Sequence, residues 1–342
     1  MLRLRPPLAP MDARSVDQIP IGPEWQYEPK WDGFRCLLFR EGRSVTLQSK
    51  AKRSLNRYFP EVVAAAKRVE ATRFVLDGEL AIAKDRGFSF EDLLQRIHPA
   101  ATRVRALAEA TPAVLIVFDL LSLGNEVLLQ QPLADRRMRL EQFAKRELRS
   151  TDVLHLSPAT MRLSTAKSWL RRAGATLDGI IAKQRDLPYR AGERDGMQKV
   201  KLSRSADCVV GGFRYKEGTK IVGSLLLGLY DQHGLLNHVG FTSSLAKSET
   251  KLLTARLERL VASPGFTGSA PGGPSRWSTK RSAKWKPVRP RLVIEVSYDH
   301  FTGGRFRHGT KLLRWRPDKA PEQCRMDQIR QKKANPMTLL ES

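Results

Sequence analysis

Short apolar runs with two-residue alternation dominate the first 200 positions of the chain and predict strands. Residues 34–50, FRCLLFREGRSVTLQSK, place two such runs around a Glu-Gly turn, which is the pattern of a β-hairpin. The runs FVLDGELAIAK (74–84) and AVLIVFDLLSL (113–123) suit buried strands. Two shorter strands are predicted at 178–185 and 196–202, from the segments DGIIAKQR and GMQKVKL.

Segments whose apolar residues have helical spacing lie between some of these strands. Residues 58–69 carry Val and Ala at helical positions, with Pro60 near the first turn, where proline is tolerated. Residues 166–175 predict a second helix that ends at Gly174 as a C-cap. Residues 135–148 predict an amphipathic helix whose apolar side is formed by Met138, Leu140, Phe143 and Leu148.

The pattern changes near residues 201–206, where glycine-punctuated strands take over. Short runs such as VVGGFRY and VGSLLLGLYD, with one helix inserted at 247–263, predict a small β-barrel. Residues 263–290 are rich in Pro, Gly and Ser, carry six Lys or Arg with no acidic residue, and predict a long basic loop. This loop is either a clamp for a polyanion or a solvated insertion. We therefore predict an α+β chain with two domains. Residues 1–202 form a domain of antiparallel sheets flanked by helices, and residues 203–342 form the domain with the β-barrel.

The charge balance indicates the class of partner. Sixty Lys and Arg against 35 Asp and Glu give a net charge of +25, which favours a polyanion, most simply nucleic acid. Two alternatives would also explain the charge: the protein comes from a proteome that is basic overall, or its partner is an acidic membrane surface. No run of about 18 apolar residues and no apolar signal segment is present, so we expect no membrane partner. Three cysteines without a C-x-x-C pair fit a reducing cytoplasm.

The segment QYEPKWDGFR (26–35) raises the question whether Lys30 is a surface charge or a nucleophile. Free lysine has a pKa of ~10.4, so a nucleophilic amine needs neighbours that favour its neutral form. Other predicted strands also carry acidic residues or lysines. These residues are Glu79, Asp119, Asp178, Lys183, Lys199 and Lys201. Each one alone fits a solvated strand end, whereas the set suits a site for lysine phosphoramidate chemistry on a nucleotide with a divalent metal.

KWDGFR resembles the K-x-D-G-x-R motif of the covalent nucleotidyltransferases, which include DNA ligases, RNA ligases and capping enzymes. Companion motifs follow in the family's order, and they are LDGEL (76–80), VFDLL (117–121), DGIIAK (178–183), QKVKL (198–202) and RWRPDK (314–319). From about residue 5 to 328 the chain is most similar to the compact actinobacterial LigC-type ATP-dependent DNA ligases. The resemblance implies an adenylation domain followed by an OB-fold β-barrel.

The resemblance also implies roles for individual residues. Lys30 would carry AMP. Adenine would contact Glu28 and Phe118, and the ribose would contact Arg35 and Glu79. Lys183 and Lys201 would contact the α-phosphate, and Arg316, Asp318 and Lys319 would orient the pyrophosphate. Lys50, Arg53 and Lys199 would also bind the nucleotide. A divalent metal, Mg²⁺ or Mn²⁺, would be held by Asp32, Glu79 and Asp178.

Two departures from the family pattern are visible in the sequence. Asp178 stands where the family more often has Glu, and Lys50 stands where it often has Arg, which removes a bidentate fork for phosphate. Arg53 is placed to compensate for the second departure.

The function that follows is ATP-dependent sealing of 5′-phosphate/3′-hydroxyl nicks in duplex DNA, in DNA repair. We expect a monomer in the bacterial cytoplasm, associated with the nucleoid, with Ku or a repair polymerase as possible protein partners. Two alternatives stay open at this point: an RNA ligase or capping-type guanylyltransferase, and a non-catalytic nucleic-acid-binding OB protein. Label transfer from ATP or from GTP separates the ligase from the capping enzyme.

Overall fold

The chain divides into two compact units in the computed structural model. The first unit is Met1–Leu202 with Lys332–Ser342, and the second is Ser203–Gln331. The sequence placed the described residues 336–340 in the second domain, whereas they group with the first unit. The structure describes residues 2–84, 87–149, 151–172, 177–201, 204–246, 248–272, 284–329 and 336–340.

The first unit combines eleven strands with five α-helices among its described residues. Its strands are β1 (Arg14–Ser15), β2 (Trp25–Lys30), β3 (Phe34–Glu41), β4 (Ser44–Ser49), β5 (Arg73–Lys84), β6 (Gly87–Phe88), β7 (Ala113–Leu123), β8 (Glu126–Val127), β9 (Leu154–Leu156), β10 (Gly179–Gln184) and β11 (Met197–Lys201). Its helices are α1 (Pro60–Arg68), α2 (Phe90–Arg96), α3 (Ala101–Ala110), α4 (Leu133–Phe143) and α5 (Leu163–Arg172), with 3₁₀ turns at Asn56–Tyr58 and Pro336–Leu339.

These strands form two sheets. The larger has the order β4-β3-β5-β7-β8, with β6 paired to β5 and β9 paired to β7. The smaller has the order β1-β11-β10-β2. Pairing is antiparallel except for β1 with β11 and β7 with β9. Long β5 and β7 are almost wholly buried, as their continuous apolar runs predicted, because helices cover the face of the sheet that carries the main core.

Several predicted local elements are confirmed. β3 and β4 form the hairpin, and Gly42 in its turn adopts φ 60°. Helix α1 begins at Pro60. Helix α4 continues into a π-helical turn at Ala144–Leu148.

One prediction for α4 is wrong. Met138 was placed on the apolar side, but its side chain is 52% exposed, whereas Leu140 and Phe143 are buried. Residues two apart on a helix point in nearly opposite directions, so burial of Leu140 turns Met138 toward solvent.

The second unit is a rolled antiparallel sheet. Its elements are β12 (Arg204–Tyr215), β13 (Val222–Tyr230), β14 (Leu236–Thr242), α6 (Thr250–Glu258), β15 (Lys286–Pro287), β16 (Val293–Tyr298), β17 (Phe301–Thr302), β18 (Arg305–Phe306) and β19 (Lys311–Trp315), with 3₁₀ turns at Pro321–Gln323 and Met326–Ile329. The main sheet has the order β14-β13-β12-β16-β19. Thr310, just before β19, donates its N–H to the Phe241 carbonyl of β14 at 3.0 Å. This bond joins the two outermost strands and closes the barrel.

The basic loop of the second unit is described only in part. Residues 273–283, including Trp277, lie outside the described residues, as do Gly174 and residues 202–203, where the sequence pattern changes. Trp285 packs its ring edge against Phe266 at 5.5 Å between centroids. This contact packs Trp285 into the barrel. No helix among the described residues is long and apolar enough to cross a membrane.

A buried histidine in the barrel makes the stability of the second unit pH-dependent. Burial, together with the charges of Arg305 and Arg214, lowers the pKa of His238 from 6.5 to about 3. Between these values the unfolded chain binds a proton that the folded chain does not, so stability is lost as the pH falls.

We expect the free energy of unfolding to fall by up to ~1.4 kcal/mol per pH unit in this window because of His238. His238→Gln should reduce that slope, as measured by urea unfolding from pH 7 to pH 4. His233→Gln, which changes an exposed histidine of the same unit, is the control and should leave the slope unchanged. Equal slopes in all three proteins would contradict the prediction.

Candidate active site

The smaller sheet of the first unit places three predicted site lysines close together. Lys30 ends β2, and Gly179 of β10 lies opposite it. On its other side Gly179 faces Lys201 of β11. Ile181 likewise lies between Glu28 and Lys199. Residues far apart in sequence therefore share one face of this sheet because their strands are neighbours.

The larger sheet supplies the opposite wall. Arg35 of β3 is in register with Glu79 of β5. Side chains from both sheets line a single pocket, and they include Glu28, Lys30, Arg35, Glu79, Phe118 and Lys183. The structure thus brings together six of the residues that the sequence proposed for the nucleotide.

Two glycines permit this close approach of the backbone. A Cβ at Gly33 would lie 2.0 Å from the Leu80 carbonyl oxygen, so the turn after Lys30 passes directly against β5. Gly179 has φ +139°, and a Cβ there would lie 2.0 Å from the Val200 carbonyl oxygen. Both positions therefore require glycine for steric reasons.

Asp178 is the ionic partner of the proposed nucleophile. Its carboxylate, 7% exposed, pairs with the Lys30 ammonium and lies 3.5 Å from Lys201 Nζ. The Asp178 N–H also donates to the Lys30 carbonyl at 2.8 Å. Lys30 is thus held by backbone and side chain, and its ion pair has to open before the amine can attack an electrophile.

Trp31 fixes the backbone on the other side of Lys30. The indole is buried, donates its N–H to Ser157 Oγ at 2.9 Å and packs edge-on against Phe88 at 5.8 Å. A lysine on a solvated turn has no such support, so the lysine is placed by a rigid segment.

Phe118 lies between two cations. The Arg35 guanidinium carbon and Lys183 Nζ are each 4.6 Å from its ring centroid. Lys183 also pairs with Glu28 at 2.8 Å, and Gln26 donates to the same carboxylate at 2.8 Å. The sequence assigned Lys183 to phosphate and did not single out Gln26. In this structure the buried pair of Lys183 and Glu28 forms one end of the pocket.

Asp77 was missed as a functional residue, although it lies in the LDGEL motif. Its carboxylate is fully buried and receives two bonds from Arg35, at 2.5 and 2.6 Å. The Tyr189 hydroxyl donates to it at 2.7 Å and accepts the Met11 N–H at 2.9 Å. An acidic residue at the centre of an apolar run was the available signal, because a charge there requires a partner.

Electrostatics in the pocket perturb two predicted site residues. Burial, opposed by Lys30 and Arg35, raises the pKa of Glu79 to about 7. Partial burial and the nearby charges of Lys30, Lys201 and Lys50 lower the pKa of Lys199. The cations are therefore close enough to repel one another, which suits a site for a polyanion.

Other predicted residues lie outside the pocket. Lys50 is exposed and pairs with Asp12 at 2.6 Å, and Arg53 is exposed at the end of the same turn. Asp119, which the sequence grouped with the site acids, forms a bidentate pair with Arg136 at 2.9 Å and is structural. Arg316, Asp318 and Lys319 belong to the second unit, where they form one ionic cluster.

The carboxylates proposed for a metal do not form a complete protein cage. Within the ranges described above, no group of three or more His, Cys, Asp or Glu side chains gathers closely enough to hold a metal ion. Mg²⁺ commonly takes one or two carboxylates and completes its shell with substrate phosphates and water. The chemistry of Asp178 and Glu79 fits that arrangement, with the nucleotide supplying the other oxygens.

A lysine in a cation-lined pocket between two sheets, joined in sequence to a basic barrel, defines a nucleotide-dependent ligase of the covalent type. Residues 10–201 match the family described as ATP dependent DNA ligase domain, and residues 218–319 match the ATP dependent DNA ligase C terminal region. The chain therefore belongs to the ATP-dependent DNA ligase family.

Its relatives narrow the family further. The chain is 44% identical to DNA ligase C2 of Mycolicibacterium smegmatis over 344 residues, covering 96% of each chain. It is 43% identical to DNA ligase C of Mycobacterium tuberculosis over 343 residues, covering 96% of this chain and 95% of the relative. These matches confirm the LigC-type resemblance, and an ATP-dependent DNA ligase is the activity that they support.

A solved structure supports the fold. The ligase domain of M. tuberculosis LigD aligns with a TM-score of 0.50 and 29% identity, covering 93% of this chain and 97% of that one. The whole relative, the multifunctional non-homologous end joining DNA repair protein LigD, is 31% identical over 308 residues, which are 88% of this chain and 37% of that protein. The α+β fold class with a C-terminal OB-type barrel is confirmed.

The Asp77 network generates a prediction for nucleotide use. Tyr189→Phe removes the hydroxyl that joins Asp77 to Met11 and leaves a buried N–H without its partner. We expect the free energy of unfolding to fall by ~1–3 kcal/mol, and the KM for ATP in self-adenylylation to rise, because Arg35 loses part of its support beside Phe118.

Tyr27→Phe is the matched control for Tyr189→Phe. Tyr27 is also buried, but its hydroxyl donates to the Pro20 carbonyl at 2.8 Å, away from the pocket. It should destabilise the protein without changing the KM for ATP. The same KM in both variants would show that the network does not act on the nucleotide.

Proposed function

We propose that this ligase seals 5′-phosphate/3′-hydroxyl nicks in duplex DNA through an AMP carried on Lys30. The observation that supports this proposal most directly is the position of Lys30. It lines the pocket and pairs with Asp178, and Lys201 lies beside the same carboxylate. A lysine without a phosphate-binding cation nearby would not suit this chemistry. The family membership and the pocket together favour ATP as the nucleotide.

In the first step, the neutral Lys30 amine attacks the α-phosphorus of ATP. A nitrogen–phosphorus bond forms, the bond to pyrophosphate breaks, and the amine proton leaves to solvent or to a nearby carboxylate. The pair with Asp178 opens for this step, and the incoming phosphates replace the carboxylate beside Lys201. Catalysis here consists mainly of positioning and charge neutralisation.

The pocket walls account for nucleotide recognition. We assign adenine to the face of Phe118, with Glu28 toward its amino group and the ribose near Arg35 and Glu79. Lys183 and Lys201 are assigned to the α-phosphate, and Lys199, Lys50 and Arg53 to the outer phosphates or the DNA end. Because Glu28 and Lys183 already pair in the pocket, nucleotide binding would require Lys183 to divide its contacts between Glu28 and phosphate.

In the later steps the nick replaces pyrophosphate. A 5′-phosphate oxygen attacks the AMP phosphorus and breaks the bond to Lys30, which gives a DNA-adenylate. The 3′-hydroxyl then attacks the 5′-phosphate, the phosphodiester forms and AMP leaves. Arg316, Asp318 and Lys319 are assigned to pyrophosphate in the first step.

A divalent metal, Mg²⁺ or Mn²⁺, completes the proposal. Asp178 and Glu79, with Asp32 nearby, would hold it together with phosphate oxygens. When bound, it supplies charge neutralisation at the phosphates.

The net charge of +25 supports a duplex DNA partner bound mainly through phosphates. We propose a monomer that works on the nucleoid in DNA repair. The LigD relative supports the repair assignment, and Ku or a repair polymerase is the proposed recruiting partner.

Substitution of the nucleophile tests the proposal. Lys30→Ala should abolish transfer of label from α-labelled ATP to the protein while leaving the binding of nicked duplex within about twofold, since phosphate contacts elsewhere provide that binding. Lys84→Ala is the control, because Lys84 is an exposed lysine paired with Asp92 at 2.9 Å. This variant should retain both the transfer of label from ATP and the binding of nicked duplex.

Two results would overturn the proposal. One is retention of label by Lys30→Ala, and the other is labelling of the wild-type protein from GTP but not from ATP. Sealing of a nick with DNA or RNA at its 3′ end then measures which strand the enzyme accepts.

A further inference from the structure

The cations of the RWRPDK motif in the second unit are held by a residue outside that motif. Arg316 follows β19, and its N–H donates to the Val293 carbonyl at 2.9 Å, which fixes its backbone to the barrel. Its guanidinium donates to Asp318 at 2.8 Å and, on another nitrogen, to Asp207 of β12. The family motif contains Arg316 and Asp318 but not Asp207.

Asp207 contacts both cations of the motif. Arg316 Nη1 lies 2.9 Å from Oδ1 and 3.1 Å from Oδ2 of Asp207, and Lys319 Nζ lies 2.6 Å from Oδ2. The Asp207 side chain is only 12% exposed, so these contacts are partly shielded from water. One carboxylate therefore sets the separation of the two positive charges.

Asp207 is itself held in place. The Gln328 side chain accepts the Asp207 N–H at 2.9 Å and donates to the Asp207 carbonyl at 3.0 Å. This two-point contact fixes the backbone at the edge of the barrel, and Gln328 also donates to the Arg325 carbonyl at 2.9 Å. A carboxylate with such support is well suited to positioning other groups.

Charge explains why such a residue is needed. Arg316 and Lys319 repel one another, and two flexible side chains separate unless an anion lies between them. Asp318 pairs with Arg316, whereas the partner of Lys319 is Asp207. Closely spaced cations bind a pyrophosphate better than separated ones, because their side-chain entropy is lost before the anion arrives.

We propose that Asp207 is a positioning residue for the first chemical step, which holds Arg316 and Lys319 at the spacing required by the departing pyrophosphate. This inference rests on the proposed function of the motif. Asp207 touches neither the nucleotide nor the reacting atoms, so its effect is confined to the step in which pyrophosphate is present.

The experiment compares two steps in the same full-length protein. Transfer of label from α-labelled ATP to the enzyme measures the first step. Sealing of a nick that already carries AMP, without ATP, measures the last. Asp207→Asn should lower the first rate about tenfold or more and leave the last within about twofold. Gln328→Ala, which keeps every charge, should produce a smaller loss in the first step only.

Glu295→Gln is the matched control. Glu295 lies opposite Asp207 in the neighbouring strand β16 and pairs with Arg314 at 2.7 Å, so the variant removes a carboxylate of the same sheet that, unlike Asp207, accepts no hydrogen bond from Arg316 or Lys319. Both rates should stay within about twofold of the wild-type protein.

Three outcomes would overturn the inference: a first step in Asp207→Asn that is unchanged or faster, an equal loss of both steps in a folded variant, or equal effects of Asp207→Asn and Glu295→Gln. If the melting temperature shows that Asp207→Asn is unfolded, Gln328→Ala decides, and an unchanged ratio of the two rates in it refutes the inference. A wild-type protein that takes no label from ATP would refute the proposed function instead.

Discussion

The fully buried carboxylate of Asp77 is the interaction on which the first unit depends. A buried charge is unfavourable unless it is paired and hydrogen-bonded. Asp77 meets this requirement with Arg35 from β3 and Tyr189 from the segment between β10 and β11, and Tyr189 in turn binds Met11. Because Asp77 and these three residues come from four parts of the chain, one carboxylate fixes the larger sheet, the N-terminal segment and one wall of the pocket at once.

The same arrangement recurs at two further clusters of cations among the described residues. Asp178 lies between Lys30 and Lys201, and Asp207 lies between Arg316 and Lys319. A protein with a net charge of +25 has to keep its anion-binding cations close together before the anion arrives. A shielded carboxylate does this at low entropic loss, and a polyphosphate then competes for the same cations. Such ion pairs therefore fix the positions of the side chains more than they stabilise the fold.

Local pattern predicted much of the fold. The hairpin of β3 and β4, the start of α1 at Pro60 and the buried runs of β5 and β7 all follow from apolar spacing and turn chemistry. Met138 shows the limit, because helical periodicity gives an apolar side only approximately and the contacts of Leu140 and Phe143 set the rotation of the helix. The grouping of residues 336–340 with the first unit had no local signal either.

The sequence by itself determined the motifs, their order and the identity of six residues that line the pocket, since the family's chemistry requires these residue types at these spacings. Only the tertiary structure decided the partners: that Asp178 pairs with Lys30, that Lys183 pairs with Glu28, and that Tyr189 supports Arg35 through Asp77. The reason is physical. A motif specifies a residue within a few positions of chain, whereas the partner of a buried charge is set by which strands become neighbours across more than a hundred residues.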